Sequence, residues 1–353
     1  MLVMSALLGL CMQFSSEAAW AADVPGPTVG PDSGNRWLLV CCGLTGDQGH
    51  RERMTEAMQK VLDHADDVLD VRQERVHVLV SDETMQEELV GLPANAAIST
   101  SQSIKDELSW FAKELRPQDS FWMIVIGHAY LYGERAQFNV ADADPDQKQM
   151  GDWAKGISCR EQVFLLTTPV SGFWIKPMAG ANRTVITATE PDLEFTGTEM
   201  PYALADVMSG DALHQELADV DQDGQLSLLD LYLATSIEVQ ERFRSVERLQ
   251  TEHSQLDDNG DGRGSEVQAA YLPPEPEEDP EESEAEDDEE AEDEAESDDQ
   301  ADADAAEATE ELAEPSRAVP PPIASRNLDG YASRFILLNQ KVSASDGQSP
   351  NED

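Results

Sequence analysis

Residues 121–130 read FWMIVIGHAY, an apolar run that passes into Gly-His. Amphipathic stretches with helical spacing lie elsewhere in the same half of the chain, at 50–65 and 101–115. Continuous apolar strands that alternate with helices predict a mostly parallel sheet buried on both faces, and therefore an α/β fold. Four further apolar runs are predicted strands of this sheet: RWLLVCCGL at 36–44, RVHVLVSD at 75–82, QVFLLTTP at 162–169 and NRTVITATE at 182–190.

Polar residues at the ends of two of these strands are the candidate catalytic positions. His128 follows one run, and Thr168, Pro169 and Ser171 follow another. In such sheets the functional side chains gather at the carboxyl ends of the strands. A histidine at a strand end is also explained by hydrogen bonds to backbone carbonyls, without any role in catalysis.

This pair of strand ends resembles the caspase–legumain clan of cysteine peptidases. There, one strand ends in His-Gly and the next in Asp-x-Cys-x-Ser-Gly or a close variant. The resemblance covers about residues 36–210 and implies a caspase-like three-layer sandwich. It places His128 on the catalytic histidine, Ser171 and Gly172 on the Ser-Gly pair, and Pro169 on the nucleophilic cysteine.

Pro169 has a direct consequence for the chemistry that the resemblance implies. Thiol peptidases need a thiolate beside an imidazole, and proline offers neither a nucleophile nor a proton. The expectation is a catalytically inactive peptidase fold that acts in binding or scaffolding, with an unidentified protein or peptide as partner. The alternative is a hydrolase of altered mechanism, centred on His128 with Ser171 or Thr168.

Residues 219–230, DVDQDGQLSLLD, match the calcium loop of the EF-hand. Carboxylates at positions 1, 3 and 5 suit a hard cation, and Gly224 at position 6 allows the sharp turn. Position 12 holds an aspartate, which is shorter than the usual glutamate and is expected to weaken the affinity. The alternative is an Asx-turn loop that binds no metal. The predicted Ca²⁺ ligands are Asp219, Asp221, Asp223, Gln225 through its backbone carbonyl, Ser227 and Asp230.

A weaker copy of the loop follows at 257–268, DDNGDGRGSEVQ. Asp257, Asn259 and Asp261 occupy positions 1, 3 and 5, and are weaker candidate Ca²⁺ ligands. Position 12, however, is Gln268, and a turn-rich polar connector explains the stretch almost as well.

Residues 228–256 between the two loops carry apolar side chains at helical spacing. This stretch is expected to be the exit helix of the first loop and the entry helix of the second. Leu226, at position 8, is expected to pack the first loop against its partner loop. The sequence therefore predicts a small helical EF-hand pair at residues 211–272, separate from the α/β domain.

The formal net charge of the 353-residue chain is −49, and about half of it is local. Residues 275–314 hold 24 acidic side chains and no Lys or Arg. Residues 273–323 are predicted to be a disordered acidic linker, because almost no large apolar side chain is present to offset the ordering entropy. About −25 remains on the rest of the chain, which argues against nucleic-acid binding. Residues 324–342 regain apolar character and are expected to dock on the α/β domain.

The N-terminus, MLVMSALLGLCMQF, is too short an apolar run for a transmembrane helix. Together with the small-x-small sequence at Ala19–Ala21, it predicts a signal peptide at residues 1–22, although no Lys or Arg precedes the run. No later segment is apolar enough to span a membrane. The expected location is therefore extracytoplasmic, periplasmic or secreted, where millimolar calcium suits a loop of modest affinity. Three later cysteines are expected to be buried thiols: Cys41, Cys42 and Cys159.

Overall fold

The computed structural model describes residues 34–192, 197–273 and 319–339. Seven strands form one sheet: β1 Arg36–Cys42, β2 Val76–Val80, β3 Ala97–Ile98, β4 Ser120–Ile126, β7 Glu161–Leu166, β8 Arg183–Thr187 and β9 Gln255–Asp257. Their order across the sheet is β3-β2-β1-β4-β7-β8-β9, and every neighbouring pair is parallel except β8 and β9. A separate hairpin joins β5 Ala129–Tyr132 to β6 Arg135–Phe138.

The described residues contain these α-helices: α1 Gln48–Asp63, α2 Ala65–Leu69, α3 Glu83–Glu88, α4 Ser101–Glu114, α5 Gln147–Ala154, α6 Ile175–Met178, α7 Met200–Ser209 and α8 Leu228–Ser245. Side-chain caps fix where several of them begin. Asp47 accepts a hydrogen bond from the His50 backbone N–H at the start of α1. Thr100 and Ser103 form a reciprocal capping box at the start of α4.

The prediction of a mostly parallel sheet covered by helices is confirmed. Alternate residues of each strand point to opposite faces, so Leu38 and Val40 of β1 lie on one face and Leu39 and Cys41 on the other. The first face packs against α1, α2, α7 and α8, and the second against α4, α5 and α6. These three layers, with a mostly parallel central sheet, make an α/β fold.

The run FWMIVIGHAY is not one continuous strand. β4 ends at Ile126, and Gly127 then adopts a φ of +141°. A Cβ at Gly127 would lie 3.1 Å from the backbone nitrogen of Gly43, so the close approach of two chain segments requires glycine there. The chain turns into the β5–β6 hairpin, which leaves His128 in the connection between the sheet and the hairpin.

The expected division at residue 210, with a separate helical pair after it, is corrected by the packing. α8 ends at Ser245, and the chain then enters β9, which pairs antiparallel with β8 at the edge of the sheet. Leu256 of β9 is fully buried and belongs to the same apolar core as β1. The reason is the sheet edge: β8 would otherwise expose an unpaired row of backbone donors and acceptors, and β9 satisfies them.

Residues 319–339 lie against this core. The backbone N–H of Leu228 donates to Ile336 O at 2.8 Å, and that of Leu338 donates to Leu226 O at 3.0 Å. The guanidinium of Arg36 donates to the carbonyl oxygen of Leu337 at 3.0 Å. The position-8 residue Leu226 therefore pairs with this late segment, where the sequence predicted a partner calcium loop.

The predicted signal peptide and most of the predicted acidic linker, residues 274–318, lie outside the described residues. Among the helices of the described ranges, none combines the length and apolarity that crossing a membrane requires.

Replacement of Leu256 tests whether β9 and the sheet unfold as one unit. We expect Leu256→Ala to lower the free energy of unfolding by about 2–5 kcal/mol, because it removes a buried side chain from the shared core. Urea unfolding followed by tryptophan fluorescence measures this, since Trp122 lies within the central strand β4. Leu249→Ala, at a side chain that is 89% exposed, is the matched control. An unchanged tryptophan transition in Leu256→Ala would contradict the shared core.

Candidate functional site

Three carboxylates of the first loop lie together, as the loop motif predicts. One carboxylate oxygen from each of Asp219, Asp221 and Asp223 falls within 4.8 Å of the others. The loop connects the chain after α7 to the first turn of α8. The geometry therefore places three hard oxygen donors, the kind that Ca²⁺ prefers, around one point.

Backbone hydrogen bonds hold these carboxylates inward. The N–H of Asp223 donates to Asp219 Oδ1 at 3.1 Å and to Asp221 Oδ1 at 3.2 Å. The N–H of Gly224 donates to Asp219 Oδ2 at 2.8 Å. Gly224 has a φ of +88° and an added Cβ would meet nothing within 4 Å, so the turn requires glycine for its backbone conformation alone.

Asp230 and Ser227 are placed differently from the ligands that the sequence predicted. Asp230 Oδ1 accepts from the backbone N–H of Val220 at 2.8 Å and of Asp221 at 3.3 Å. Its Oδ2 accepts from the N–H and the hydroxyl of Ser227, each at 2.8 Å. Ser227 in turn caps α8 in a capping box with Asp230. The Asp230 carboxylate therefore ties the first turn of the loop to the helix and is not one of the three clustered groups.

Gln225 was predicted to contribute only its backbone carbonyl. Its N–H donates to Asp223 Oδ1 at 3.0 Å, which continues the inward turn of the loop. Loop position 8 then follows at Leu226, which is buried in the apolar core.

A cation that the motif did not predict contacts two of the three carboxylates. Arg334, from the segment 319–339, donates through Nε and Nη2 to Asp223 Oδ2 at 3.0 and 2.8 Å. Its Nε also lies 3.1 Å from Asp221 Oδ2. That Asp221 oxygen is buried and has no hydrogen bond of good geometry, so its charge is balanced by the ion pair.

Burial raises the pKa values of two acids of this loop, and for Asp221 repulsion from neighbouring carboxylates adds to the shift. Burial, followed by the charges of Asp230 and Asp223, raises the pKa of Asp221 to about 6. Burial also raises the pKa of Asp230 above its ordinary value, against the opposing hydrogen bonds from Ser227. The loop therefore gains from any cation that neutralises these charges.

The second loop has the same local turns without a matching cluster. Asp257 accepts from the N–H groups of Gly260 and Gly262 at 2.8 and 2.9 Å, and Asn259 accepts from that of Asp261 at 2.9 Å. The position-12 residue instead packs inward: the Gln268 side chain accepts from the Tyr232 hydroxyl and donates to Ser254 O. Among the described residues, the first loop is the one place where ligand atoms of three His, Cys, Asp or Glu side chains lie within 4.8 Å of one another.

His128 and Pro169 both lie beyond the carboxyl ends of neighbouring strands of the sheet. β4 and β7 are paired in register, with Val125 opposite Leu166, so the residues that follow each strand emerge side by side. Nε2 of His128 lies 3.2 Å from the carbonyl oxygen of Thr45, and the ring stands 5.0 Å from that of His50. The geometry matches the reading of a histidine satisfied by a backbone carbonyl.

The two hydroxyl residues of the altered hydrolase mechanism, Thr168 and Ser171, are buried, whereas His128 is partly exposed. The chain turns after Pro169 through Val170, whose φ of +51° is unusual for a β-branched residue. Ser171 is fully buried, and its Oγ accepts from the backbone N–H groups of Ala188 and Thr189 at 3.0 and 3.2 Å. Thr168 is only 3% exposed. Ser171 therefore joins the end of β7 to the end of β8, and both hydroxyl-bearing residues are buried.

The described cysteines are free, buried thiols, as expected. Burial raises the pKa of Cys41 to about 12 and that of Cys159 to about 11, and it raises the pKa of Cys42 further. A nucleophilic cysteine needs the opposite shift, toward the thiolate. None of these three thiols has the environment of a catalytic cysteine.

Among solved structures, the Drosophila initiator caspase Dronc is similar to this chain. The two share 12% sequence identity with a TM-score of 0.37, and the match covers 77% of this chain and 100% of the caspase chain. No protein-family model and no curated protein matches the sequence.

Thiol reactivity tests the burial of the cysteines. In a Cys11→Ser chain, we expect Cys41, Cys42 and Cys159 to react with a disulfide reagent only after unfolding, because the folded state disfavours their thiolates. Absorbance of the released thiol counts the reacted cysteines with and without denaturant. Rapid reaction of one cysteine in the folded chain would reveal a nucleophile that the structure does not show.

The pKa of Asp221 gives a pH-dependent prediction for the chain in chelator. A carboxyl whose folded pKa is raised to about 6 contributes most stability below its ordinary range, and that contribution is lost as the pH rises through about 6. Asp221→Asn is always neutral, so we expect it to be more stable than the parent near neutrality by roughly 1–3 kcal/mol. Urea unfolding should show this excess shrinking as the pH falls from about 7 to about 5. A difference that does not change with pH would contradict a buried, titrating Asp221.

Proposed function

We propose that this chain is an extracytoplasmic calcium-binding protein whose caspase-like α/β domain acts in binding or scaffolding and not in peptide hydrolysis. The observation that supports calcium most directly is the convergence of Asp219, Asp221 and Asp223 around a turn at Gly224. Hard oxygen donors at these loop positions are what Ca²⁺ requires.

The donor set favours a modest affinity. Three aspartates and the Gln225 carbonyl supply fewer ligands than the six to eight that Ca²⁺ takes, so water must complete the shell. Asp230 is held by backbone donors and by Ser227, so the bidentate ligand usual at position 12 is missing. Sites of this kind fall in the range of about 10⁻⁴–10⁻³ M typical of extracellular modules.

Calcium bound in this loop would stabilise the whole chain. α8 starts at the end of the loop and shares its core with the sheet, so a cation that binds only the folded loop shifts the global unfolding equilibrium. At ten times the dissociation constant the gain is about 1.4 kcal/mol. Calcium would therefore act as a structural clamp between the loop and the α/β domain.

Three features of the described residues support the proposal that the chain does not hydrolyse peptides. Pro169 stands at the position that the family resemblance assigns to the nucleophile, and Ser171 is buried with its oxygen engaged. The described cysteines are buried with raised pKa values. A role in binding an unidentified protein or peptide partner requires no activated nucleophile.

Calorimetric titration with CaCl₂ tests the metal site. We expect the parent chain to bind Ca²⁺ and Asp219→Asn to lose about tenfold or more in affinity, because it removes one charged ligand of the cluster. Asp67→Asn, at an exposed aspartate of α2, is the matched control and should bind like the parent. A parent chain that shows neither binding heat nor thermal stabilisation by calcium would make the loop an Asx-turn connector.

A peptide-library assay tests the absence of hydrolysis. We expect no cleavage by the parent chain or by His128→Ala, in calcium or in chelator, because the sheet edge offers no activated nucleophile. Mass spectrometry of the library detects cleavage of any sequence. Cleavage by the parent that disappears in His128→Ala would show an enzyme and overturn the proposal.

A further inference from the structure

The first calcium loop already contains a positive charge, supplied by the chain itself. The Arg334 side chain is only 13% exposed, and the Asp221 and Asp223 side chains that it contacts are 0% and 4% exposed. Its Nη1 donates to the carbonyl oxygen of Ile323 at 2.8 Å, so the guanidinium is held from the side opposite the loop as well. The arrangement is a buried ion pair fixed by several hydrogen bonds.

A guanidinium suits this position for a physical reason. Clustered buried carboxylates repel one another, and the repulsion falls when a positive charge lies among them. Arginine has five donors in a rigid fork and stays protonated at all accessible pH values, so it can pair with two acids at once. Here Nε faces both Asp221 Oδ2 and Asp223 Oδ2, the oxygens of two of the three clustered aspartates.

We propose that Arg334 is an internal counter-cation of the loop, which competes with Ca²⁺ for Asp221 and Asp223 and so sets the calcium affinity. This inference rests on the proposed calcium-binding function. Oxygens that accept charge-assisted hydrogen bonds from Arg334 must give up part of that interaction to approach Ca²⁺ at 2.3–2.6 Å, the usual distance. The two cations also repel each other, so binding of one disfavours the other.

The competition connects the loop to the segment 319–339. Arg334 lies two residues before Ile336, whose carbonyl accepts from the Leu228 N–H at the start of α8. Ser333, the residue directly before Arg334, donates through both its N–H and its hydroxyl to Asp258 of the second loop, each at 2.7 Å. Displacement of Arg334 by calcium would therefore loosen a segment that joins the first loop to the second.

Titration of full-length variants with CaCl₂ tests the competition. We expect Arg334→Gln to bind Ca²⁺ about tenfold or more tightly than the parent, because the competing charge is gone. Arg334→Lys keeps the charge without the fork, and should fall between the two. Arg326→Gln is the matched control, since Arg326 belongs to the same segment but lies over the Tyr331 ring, away from the calcium loop.

Hydrogen exchange on the parent chain gives a second measurement that needs no variant. We expect calcium to speed exchange of the Leu228 and Leu338 amides, which donate across the contact between the loop and the segment. Slower exchange of both amides in calcium would show that the metal and Arg334 act together, and would overturn the competition.

The outcomes separate this inference from the calcium function. Equal calcium affinity in the parent, Arg334→Gln and Arg326→Gln would overturn the competition and leave calcium binding intact. Tighter binding in Arg334→Gln, or binding in that variant alone, would support the competition. No binding in any variant, each shown to be folded by its thermal transition, would overturn both.

Discussion

Burial of the central sheet on both faces is the constraint on which the other features depend. Because helices cover the two faces, the strands are closed to solvent, and the polar groups that can act must lie beyond the strand ends. His128 lies at such an end, and Pro169 follows the neighbouring strand. The sheet also needs its outer edge at β8 covered, and the short strand β9 meets that need.

Burial also determines the state of the thiols of β1 and of the Ser171 hydroxyl that follows β7. Cys41 and Cys42 are core residues of β1, and desolvation holds both in the thiol form. Ser171 lies between the ends of β7 and β8, where its hydroxyl oxygen accepts hydrogen bonds from two backbone N–H groups. Pro169, which follows β7, has neither a nucleophilic atom nor an exchangeable proton on its side chain.

Hydrophobic patterning was enough to predict five strands of the parallel sheet and the helices α1 and α4, because each carries an apolar pattern over many residues, but it did not predict the two-residue strand β3. β9 could not be predicted in this way: three residues, Gln255–Asp257, carry no period, and long-range pairing with β8 makes them a strand. The loop motif predicted the three clustered aspartates, but it did not predict the hydrogen bonds that Asp230 accepts from Val220, Asp221 and Ser227. The Ser227-x-x-Asp230 pattern of a capping box was visible in the sequence and indicates the role that the structure shows.

Arg334 gave no local signal, since its partners lie more than a hundred residues earlier in the chain.

The two loops differ in how their buried negative charge is balanced, because only the first has an arginine side chain paired with its aspartates among the described residues. In the second loop, burial and then the neighbouring charges of Asp329 and Asp261 raise the pKa of Asp257 to about 6, against the opposing backbone hydrogen bonds. Within the described residues, the hydrogen bonds to Asp257, Asp258 and Asp261 come from backbone N–H groups and from the Ser333 hydroxyl, and none comes from a Lys or Arg side chain. The first loop, with the same inward turns, receives the guanidinium of Arg334 at the point where its aspartates converge. A chain with 23 basic and 72 acidic residues has few positive charges to place. One of them, Arg334, lies against Asp221 and Asp223, so the chain itself supplies a positive charge that offsets part of the negative charge of this loop.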